Sequence, residues 1–223
     1  MIEMVKQLIR KGAEKDAEDK EGRTALTWAV RGWHEDVANA LMMEERADVN
    51  VGTGRRPLHA AAERGMVEMV RELVDKGGCG SGAAGGRGWG ERGHGRRPLH
   101  AAAERGTVEM VRELMEKDAA VDADDREGCT ALTVVLAGGK EAAARALLEA
   151  GAGVNAGTGR RPLHVAAGRG MVEMLRELMD KDKEVDAEDG EGRTALTVAL
   201  AGGKEAAARA QRRRPFFFSA ARN

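Results

Sequence analysis

The chain of 223 residues is poor in aromatic side chains, which make up only 3% of it as three Trp, three Phe and no Tyr. β-Sandwiches and barrels rely on aromatic and β-branched residues for their cores, so this shortage disfavours an all-β fold. Two cysteines are too few for a disulfide framework. The N-terminus resembles neither a signal peptide nor a membrane span. We therefore expect an intracellular protein, cytoplasmic or alternatively nuclear, with no membrane partner.

The chain also lacks an excess of charge of either sign. Its 36 Lys and Arg residues are balanced by 37 Asp and Glu residues, so the formal net charge is −1 although 33% of the residues are charged. A chain without a large positive field has little to attract a polyanion. We expect no nucleic-acid partner.

Internal repetition is the strongest positive feature of the sequence. A Pro-type unit, RPLHAAAERGMVEMVREL and close variants, begins at Arg56, Arg97 and Arg161. A Thr-type unit, TALTVVLAGGKEAAARA and variants, begins at Thr24, Thr130 and Thr194. The leucine that anchors each unit recurs about every 33 residues, except between Leu58 and Leu99, which are 41 residues apart. This period indicates an array of stacked repeats.

Each unit predicts two short helices. In the Pro-type unit, Pro57 and its equivalents occupy the first helical position, where the missing N–H is not needed, and a glycine such as Gly65 marks the turn that follows. The second run places Met66, Val70 and Leu73 at helical spacing, with Val67 and Val74 beside them. The Thr-type unit has a Gly-Gly break followed by KEAAARA, a strong helix former.

The first unit departs from this pattern at its turn. Trp33 aligns with the turn glycine of the other units. A bulky residue at positive φ would be strained, so we expect the turn to shift to Gly32.

The Pro-Leu-His triplets at Pro57, Pro98 and Pro162, each followed by an Ala-rich stretch, and loop ends such as ADVN at Ala47 resemble the ankyrin repeat. The resemblance covers residues 2–76 and 95–210 and implies an all-α, ankyrin-like αα-solenoid. It would contain about six helix-pair repeats and an N-terminal half repeat, with projecting β-turn (finger) loops. In that family a Thr hydroxyl and a His ring tie each turn together. Pro-type units replace the Thr and Thr-type units replace the His, so we expect each repeat to hold at most half of this device.

The repeat pattern also divides the chain. Residues 1–76 form an N-terminal block and residues 96–210 a C-terminal block, and residues 77–95 form a Gly-rich insert that we expect to be a mobile loop. We expect the blocks to stack on each other, because an unstacked block would expose two apolar faces. Residues 211–223 are an Arg/Phe tail that matches no unit, and we expect it to be disordered rather than folded over the last repeat.

No motif of the chain indicates catalysis, a cofactor or a metal. The GxGxxG string that begins at Gly80 follows a predicted helix instead of a strand and lies in a Gly-rich tract. Cys79, His94 and His100 are too few and too loosely spaced for a zinc site. We expect a protein that is not an enzyme and has no cofactor.

The predicted finger loops alternate in charge. Loops before Thr-type units are acidic, with Asp16, Glu18, Asp19, Asp122, Asp124, Asp125, Asp186, Glu188 and Asp189. Loops before Pro-type units carry the arginine pairs Arg55–Arg56, Arg96–Arg97 and Arg160–Arg161. Either neighbouring fingers neutralise each other, or the row binds a partner segment of mixed charge.

The resemblance implies that a partner would bind along the fingers and the concave face of the first helices. On that face Trp28 is the only large aromatic residue, so it is either a binding hot spot or packed within the chain. The candidate partner-binding residues are Trp28, Trp33, Arg55, Arg64, Arg105, Asp124, Asp125, Arg160, Arg161 and Arg169.

These features together favour a non-enzymatic protein–protein interaction scaffold. The alternatives are a truncated or recently duplicated repeat fragment with no partner of its own, or the binding module of a larger multidomain protein. We expect a monomer, with self-association through uncapped ends as the other possibility.

Overall fold

The computed structural model describes residues 1–52, 56–78, 97–117, 119–181 and 184–212. This part of the chain contains thirteen α-helices and no strand. A half repeat, α1 (Ile2–Arg10), is followed by six consecutive helix pairs. The predicted all-α solenoid of six helix pairs and one half repeat is confirmed.

The two helices of each pair differ in position and composition. The first helices are α2 (Ala25–Arg31), α4 (Pro57–Arg64), α6 (Pro98–Arg105), α8 (Ala131–Ala137), α10 (Pro162–Arg169) and α12 (Ala195–Ala201). The second helices are α3 (Glu35–Asn39), α5 (Val67–Leu73), α7 (Val108–Glu116), α9 (Glu141–Glu149), α11 (Val172–Lys181) and α13 (Glu205–Arg212). Helices α3 and α5 each continue into a π-helical turn, Ala40–Glu44 and Val74–Gly78.

The first helices begin in two ways. In Thr-type units the threonine is the N-cap residue, and its Oγ1 accepts the backbone N–H three residues later at 3.3 Å, a bond that satisfies one orphan donor of the helix. In Pro-type units an arginine is the N-cap residue and makes no side-chain capping bond, but proline follows at the first helical position. Thr-type first helices are therefore the better capped of the two.

The turn between the two helices of a pair requires a left-handed residue. Gly65 ends α4 with φ 78°, and Gly139 holds the equivalent position after α8 with φ 69°. In the first pair Trp33 itself adopts φ 61°, whereas Gly32 has φ −83°. The expected shift of the turn to Gly32 was therefore wrong.

The backbone hydrogen bonds across this turn explain why Trp33 keeps the left-handed conformation. The N–H of His34 donates to the carbonyl of Ala29 at 2.9 Å, and the N–H of Lys140 makes the same bond to Val135 at 2.9 Å. This bond fixes the entry into the second helix, so the residue just before it must be left-handed whatever its side chain. The turn therefore imposes the strain on Trp33, which costs of order 1–2 kcal/mol.

The core is built from Leu, Ala, Val and Met, as the sequence predicts. The anchoring leucines Leu26, Leu58, Leu99, Leu132 and Leu163 are each at most 3% exposed. In α5 and its continuation, Met66, Val70, Leu73 and Val74 are buried, and the structure adds Met69 to this set. Each buried aliphatic side chain of this size contributes about 1.5–3 kcal/mol, so regular spacing of these residues stabilises every interface in the stack.

The N-terminal and C-terminal blocks stack directly on each other across the irregular 41-residue spacing. Nη1 of Arg105 in α6 donates to the carbonyl of Glu63 in α4 at 2.9 Å. Nζ of Lys117 donates to Asp75 at 2.9 Å across the same interface. The Gly-rich insert from residue 79 onward and the tail from residue 213 onward lie outside the described residues.

Apolar side chains are exposed at both ends of the described stack. On α1, Met1, Met4 and Leu8 are 71%, 63% and 56% exposed. At the other end Leu200 in α12 is 48% exposed, although its equivalent in the fourth pair, Leu136, is fully buried.

Candidate interaction surface

Each acidic finger loop is folded around one aspartate. In the first finger, Oδ1 of Asp19 accepts the N–H of Glu21 at 2.8 Å and the N–H of Arg23 at 3.0 Å. The same pair of bonds, from the residues two and four positions later, forms at Asp125 and at Asp189. The short side chain replaces a backbone acceptor in a tight turn and so defines the loop.

These hydrogen bonds favour the charged form of the aspartates. The N–H of Arg193 is the main cause that lowers the pKa of Asp189 from 3.8 to about 2, and the N–H of Arg23 likewise lowers the pKa of Asp19. Both groups are therefore ionised at neutral pH.

Trp28 lies beside the first of these loops. Its Nε1 donates to Oδ2 of Asp19 at 2.9 Å, and the guanidinium carbon of Arg23 lies 4.2 Å from the centre of its ring. The side chain is nevertheless 49% exposed. Trp28 is thus fixed within the chain by a hydrogen bond and a cation–π contact, yet one part of it remains accessible to a partner.

The middle acidic finger has a cysteine where the other two have arginine. Burial raises the pKa of the Cys129 thiol, so the thiolate form is disfavoured. The donor atoms of Asp125, Glu127 and Cys129 lie within 4.8 Å of one another, but Oδ1 of Asp125 already accepts two backbone N–H groups. Cys79 and His94 of the rejected zinc set lie outside the described residues.

Aspartates also connect each acidic finger to the finger that follows it. Oδ1 of Asp122 accepts the N–H of Gly153 at 2.7 Å, and Oδ2 of Asp124 accepts the hydroxyl of Thr158 at 3.2 Å. In the first pair of fingers, Oδ1 of Asp16 accepts the N–H of Asp48 at 2.9 Å. The acidic side chains are therefore used mainly to join backbone segments.

The arginine pair of the fifth finger is not neutralised by its neighbour. Arg160 is exposed, Arg161 is half-buried as the N-cap residue of α10, and neither forms a salt bridge with any described residue. The predicted neutralisation between fingers thus does not involve these two guanidinium groups. Arg55 lies outside the described residues.

A second set of bonds joins consecutive repeats at the base of the fingers. Nε2 of His100 lies 2.8 Å from the carbonyl oxygen of Cys129, and Nε2 of His164 makes the same contact with Arg193 at 2.7 Å. In the unit between them, the Oγ1 of Thr133, which replaces the histidine, donates to the carbonyl of Arg160 at 3.2 Å.

The expectation that every repeat holds at most half of the turn device was therefore wrong for the unit at Thr130. That unit has both the capping bond of Thr130 and the inter-repeat bond of Thr133. The threonine hydroxyl is shorter than an imidazole, but it still reaches the next loop, since the two repeats are closely packed.

Burial of the histidines affects their protonation. His100 is 2% exposed and its Nδ1 has no hydrogen-bond partner among the described residues. Burial is the main cause that lowers the pKa of His100 below 6.5. The ring is neutral in the folded protein at neutral pH.

The row of first-helix positions that contains Trp28 offers little other surface. Ala60 and Ala101 are 1% and 4% exposed. The valines at the equivalent positions, Val134, Val165 and Val198, are half-buried. Trp28 is the large accessible side chain of this row.

The arginines predicted near the helix ends lie on a different edge from the fingers. Arg64, Arg105 and Arg169 are exposed and are the last residues of α4, α6 and α10. An eight-residue helix is about 12 Å long, so Arg169 lies about that far from Arg161 at the start of α10. The single predicted surface is therefore two surfaces, a finger edge and a turn edge.

Sequence reasoning did not single out the other members of the turn edge. Lys140 and Lys204 precede α9 and α13, and both are exposed. When the units are aligned on their anchoring leucines, Lys140 and Lys204 lie two positions after the residues that correspond to Arg105 and Arg169. The alignment therefore does not show that these lysines and arginines are equivalent. The signal that could have found them is a basic residue directly before or after the left-handed glycine of the turn, as at Gly65, Gly106, Gly139, Gly170 and Gly203.

Comparison with known proteins identifies the repeat. The family model described as "Ankyrin repeats (3 copies)" matches residues 1–83, 85–158 and 150–210. The crystal structure of the human ASB11 ankyrin repeat domain superposes with a TM-score of 0.73 at 26% sequence identity, covering 96% of this chain and 94% of that one.

Three curated proteins show the same similarity over different lengths. Human "Ankyrin repeat and SOCS box protein 18" is 52% identical over 59 residues, which is 25% of this chain and 13% of that protein. "Ankyrin repeat and KH domain-containing protein mask-1" of Caenorhabditis elegans is 27% identical over 188 residues, 82% of this chain and 6% of that protein. The "Nuclear factor NF-kappa-B p105 subunit" of Gallus gallus is 39% identical over 79 residues, 34% of this chain and 8% of that protein. The chain thus spans a small part of each relative.

Among the described residues, every helix is too short or too polar to cross a membrane.

Proposed function

Because this chain belongs to the ankyrin repeat family, whose members are general protein–protein interaction modules, we propose that it is a non-enzymatic scaffold that binds a partner protein. Binding would use the finger loops and the adjacent face of the first helices. An intracellular location, expected from composition, is part of this proposal and is checked by microscopy of the tagged chain.

The observation that supports this proposal is the contrast between rigid finger loops and unpaired finger arginines. Asp122 and Asp124 hold one finger to the next, so the row needs little ordering when it binds. Arg160 and Arg161 have no ion pair with any described residue. A guanidinium group on a rigid loop is well suited to bidentate recognition of a carboxylate.

The partner segment that fits this row carries charges of both signs. Arg160 and Arg161 would meet acidic side chains, while the ionised acidic loops would meet basic ones. Trp28 adds an apolar contact at the N-terminal end of the row, where its ring is held by Asp19 and Arg23.

The proposal is tested by charge reversal at the finger edge. The tagged chain and the Arg160→Glu/Arg161→Glu variant capture proteins from the native lysate, and calorimetry then measures the affinity of any captured protein. The matched control, Lys11→Glu/Lys76→Glu, reverses the same charge at two exposed lysines near the C-terminal ends of α1 and of the π-helical turn Val74–Gly78. Loss of affinity in the finger variant alone supports the proposal, and equal affinity of all three chains contradicts it.

A second candidate is that the chain acts as the binding module of a larger protein. Its small share of each relative, 13% in the human protein, is what such a module would show. The experiment above applies to it unchanged, because the finger edge would still be the binding surface.

A further inference from the structure

The turn edge carries one basic side chain from every helix pair. These residues lie at the turn between the first and second helix, and they are Arg31, Arg64, Arg105, Lys140, Arg169 and Lys204. All except Arg31, which is half-buried, are exposed. The finger edge, in contrast, carries both acidic and basic loops.

From the third helix pair onward, the side chains of the turn edge form a row because each lies against the turn of the preceding repeat. A β-carbon added to Gly65 would lie 2.7 Å from Nε of Arg105, and one added to Gly106 would lie 2.9 Å from Cγ of Lys140. The same arrangement recurs between Gly170 and Lys204, at 3.1 Å from Cδ. The missing side chain at the left-handed glycine thus makes room for the cation of the next repeat.

No member of the row has an ion pair with any described residue. Four second helices have in their first turn a glutamate that pairs within its own helix: Glu68 with Arg71 at 3.0 Å, Glu141 with Arg145 at 3.5 Å, Glu173 with Arg176 at 2.8 Å and Glu205 with Arg209 at 3.1 Å. Because these carboxylates interact with arginines further along their own helices, they do not neutralise the turn edge.

The spacing of the row defines the ligand that would fit it. Packed helices lie about 10 Å apart, so six cations span about 50 Å. An extended peptide advances about 3.3–3.4 Å per residue, or three residues per repeat. We propose that the turn edge binds an extended acidic peptide segment that runs across the repeats and carries a carboxylate at about every third residue.

A peptide fits this row better than a nucleic acid does. The chain has 37 Asp and Glu residues against 36 Lys and Arg residues, so its overall field does not favour a polyanion that is charged at every position. A peptide with spaced carboxylates and neutral residues between them brings negative charge only to the cations of the row.

The experiment uses the full chain and three labelled probes in fluorescence anisotropy. The first is a 16-residue peptide with Glu at every third position and Ser or Gly elsewhere. The second has the same composition with its six Glu residues in one run, and the third is an oligothymidylate of equal charge. The turn-edge variant is Arg64→Gln/Arg169→Gln, and its matched control is Lys11→Gln/Lys76→Gln, which removes two exposed cations near the C-terminal ends of α1 and of the π-helical turn Val74–Gly78. Circular dichroism confirms that both variants are folded.

We expect the spaced peptide to bind, with an affinity that falls as salt rises. The turn-edge variant should weaken it about threefold to tenfold, as expected for the loss of two exposed ion pairs, and the Lys11→Gln/Lys76→Gln control should leave it unchanged. Equal binding of spaced and clustered peptides, preference for the oligonucleotide, absence of binding, or unchanged affinity in the turn-edge variant would overturn the proposal. The outcome is independent of finger-edge binding, which the variants at Arg160 and Arg161 report separately.

Discussion

Replacing Thr133 by Val tests whether the bond at the base of the fingers stabilises the stack. Val has nearly the same shape but lacks the hydroxyl, so the change removes the bond from Oγ1 of Thr133 to the carbonyl of Arg160, together with the 3.1 Å hydrogen bond between the hydroxyls of Thr130 and Thr133. The N–H of Thr133 keeps its bond to Oγ1 of Thr130, so the helix cap is preserved.

The expected loss follows from the burial of this site. Thr133 is 2% exposed, and a buried polar group that loses its partner costs about 1–3 kcal/mol. The chain provides a matched control at Thr197, the equivalent residue of the last pair. Thr197 is exposed, and its Oγ1 donates to the carbonyl of Thr194 in its own turn at 2.7 Å. We expect Thr197→Val to change stability by at most about 0.5 kcal/mol.

Urea denaturation followed by circular dichroism measures both variants. For a loss of about 1.5 kcal/mol and an m value of about 2.5 kcal/mol/M, the midpoint of Thr133→Val should fall by about 0.6 M with no change in slope. Equal midpoints in Thr133→Val and Thr197→Val would refute the reasoning, because the hydroxyl would then act only within its own turn.

Three further predictions follow from the described geometry. Trp33→Gly removes the strain of φ 61° and should raise the free energy of unfolding by about 1 kcal/mol, which corresponds to a melting temperature about 3 °C higher. Gly139→Ala introduces a side chain at φ 69° and should lower the free energy of unfolding. Burial lowers the pKa of His100 below 6.5, so the unfolded chain binds a proton at this residue at a higher pH than the folded chain does. The contribution of His100 to the free energy of unfolding is therefore present above pH 6.5 and is lost as the pH falls. In denaturant melts at pH 5 to 7, His100→Gln should show a smaller loss of stability with falling pH. Burial raises the pKa of the Cys129 thiol, so the folded protein should react more slowly with an alkylating reagent than the urea-unfolded protein does. Mass spectrometry of a Cys79→Ser chain at pH 8 measures the two rates, and equal rates would contradict this prediction.

The repeated units were sufficient to predict the fold and most of the core. Helical spacing placed Met66, Val70 and Leu73 on one face, and all three are buried. This works because each unit contacts only its neighbours, so local periodicity determines which side chains are covered.

The finer features could not be predicted because they depend on distances within the turns and between repeats. Thr133 and His100 look different in sequence, but both reach the carbonyl at the base of the next finger. We expected Trp33 to have negative φ because bulky residues are strained at positive φ. The hydrogen bond from the N–H of His34 to the carbonyl of Ala29 nevertheless requires positive φ at Trp33. Lys140 and Arg105 differ in register, and only the turn brings them to one edge.

The described repeats form a single stack across the irregular spacing between Leu58 and Leu99, and coincident unfolding of all repeats is the direct test of this. In a Trp89→Phe chain, fluorescence reports only Trp28 and Trp33 in the first helix pair, and circular dichroism reports all helices. Leu175→Ala, which removes a fully buried side chain from α11, should cost about 2–5 kcal/mol. A continuous stack predicts coincident fluorescence and dichroism transitions in urea, both shifted to lower urea by Leu175→Ala. A fluorescence transition that stays at its original midpoint in this variant would contradict the claim.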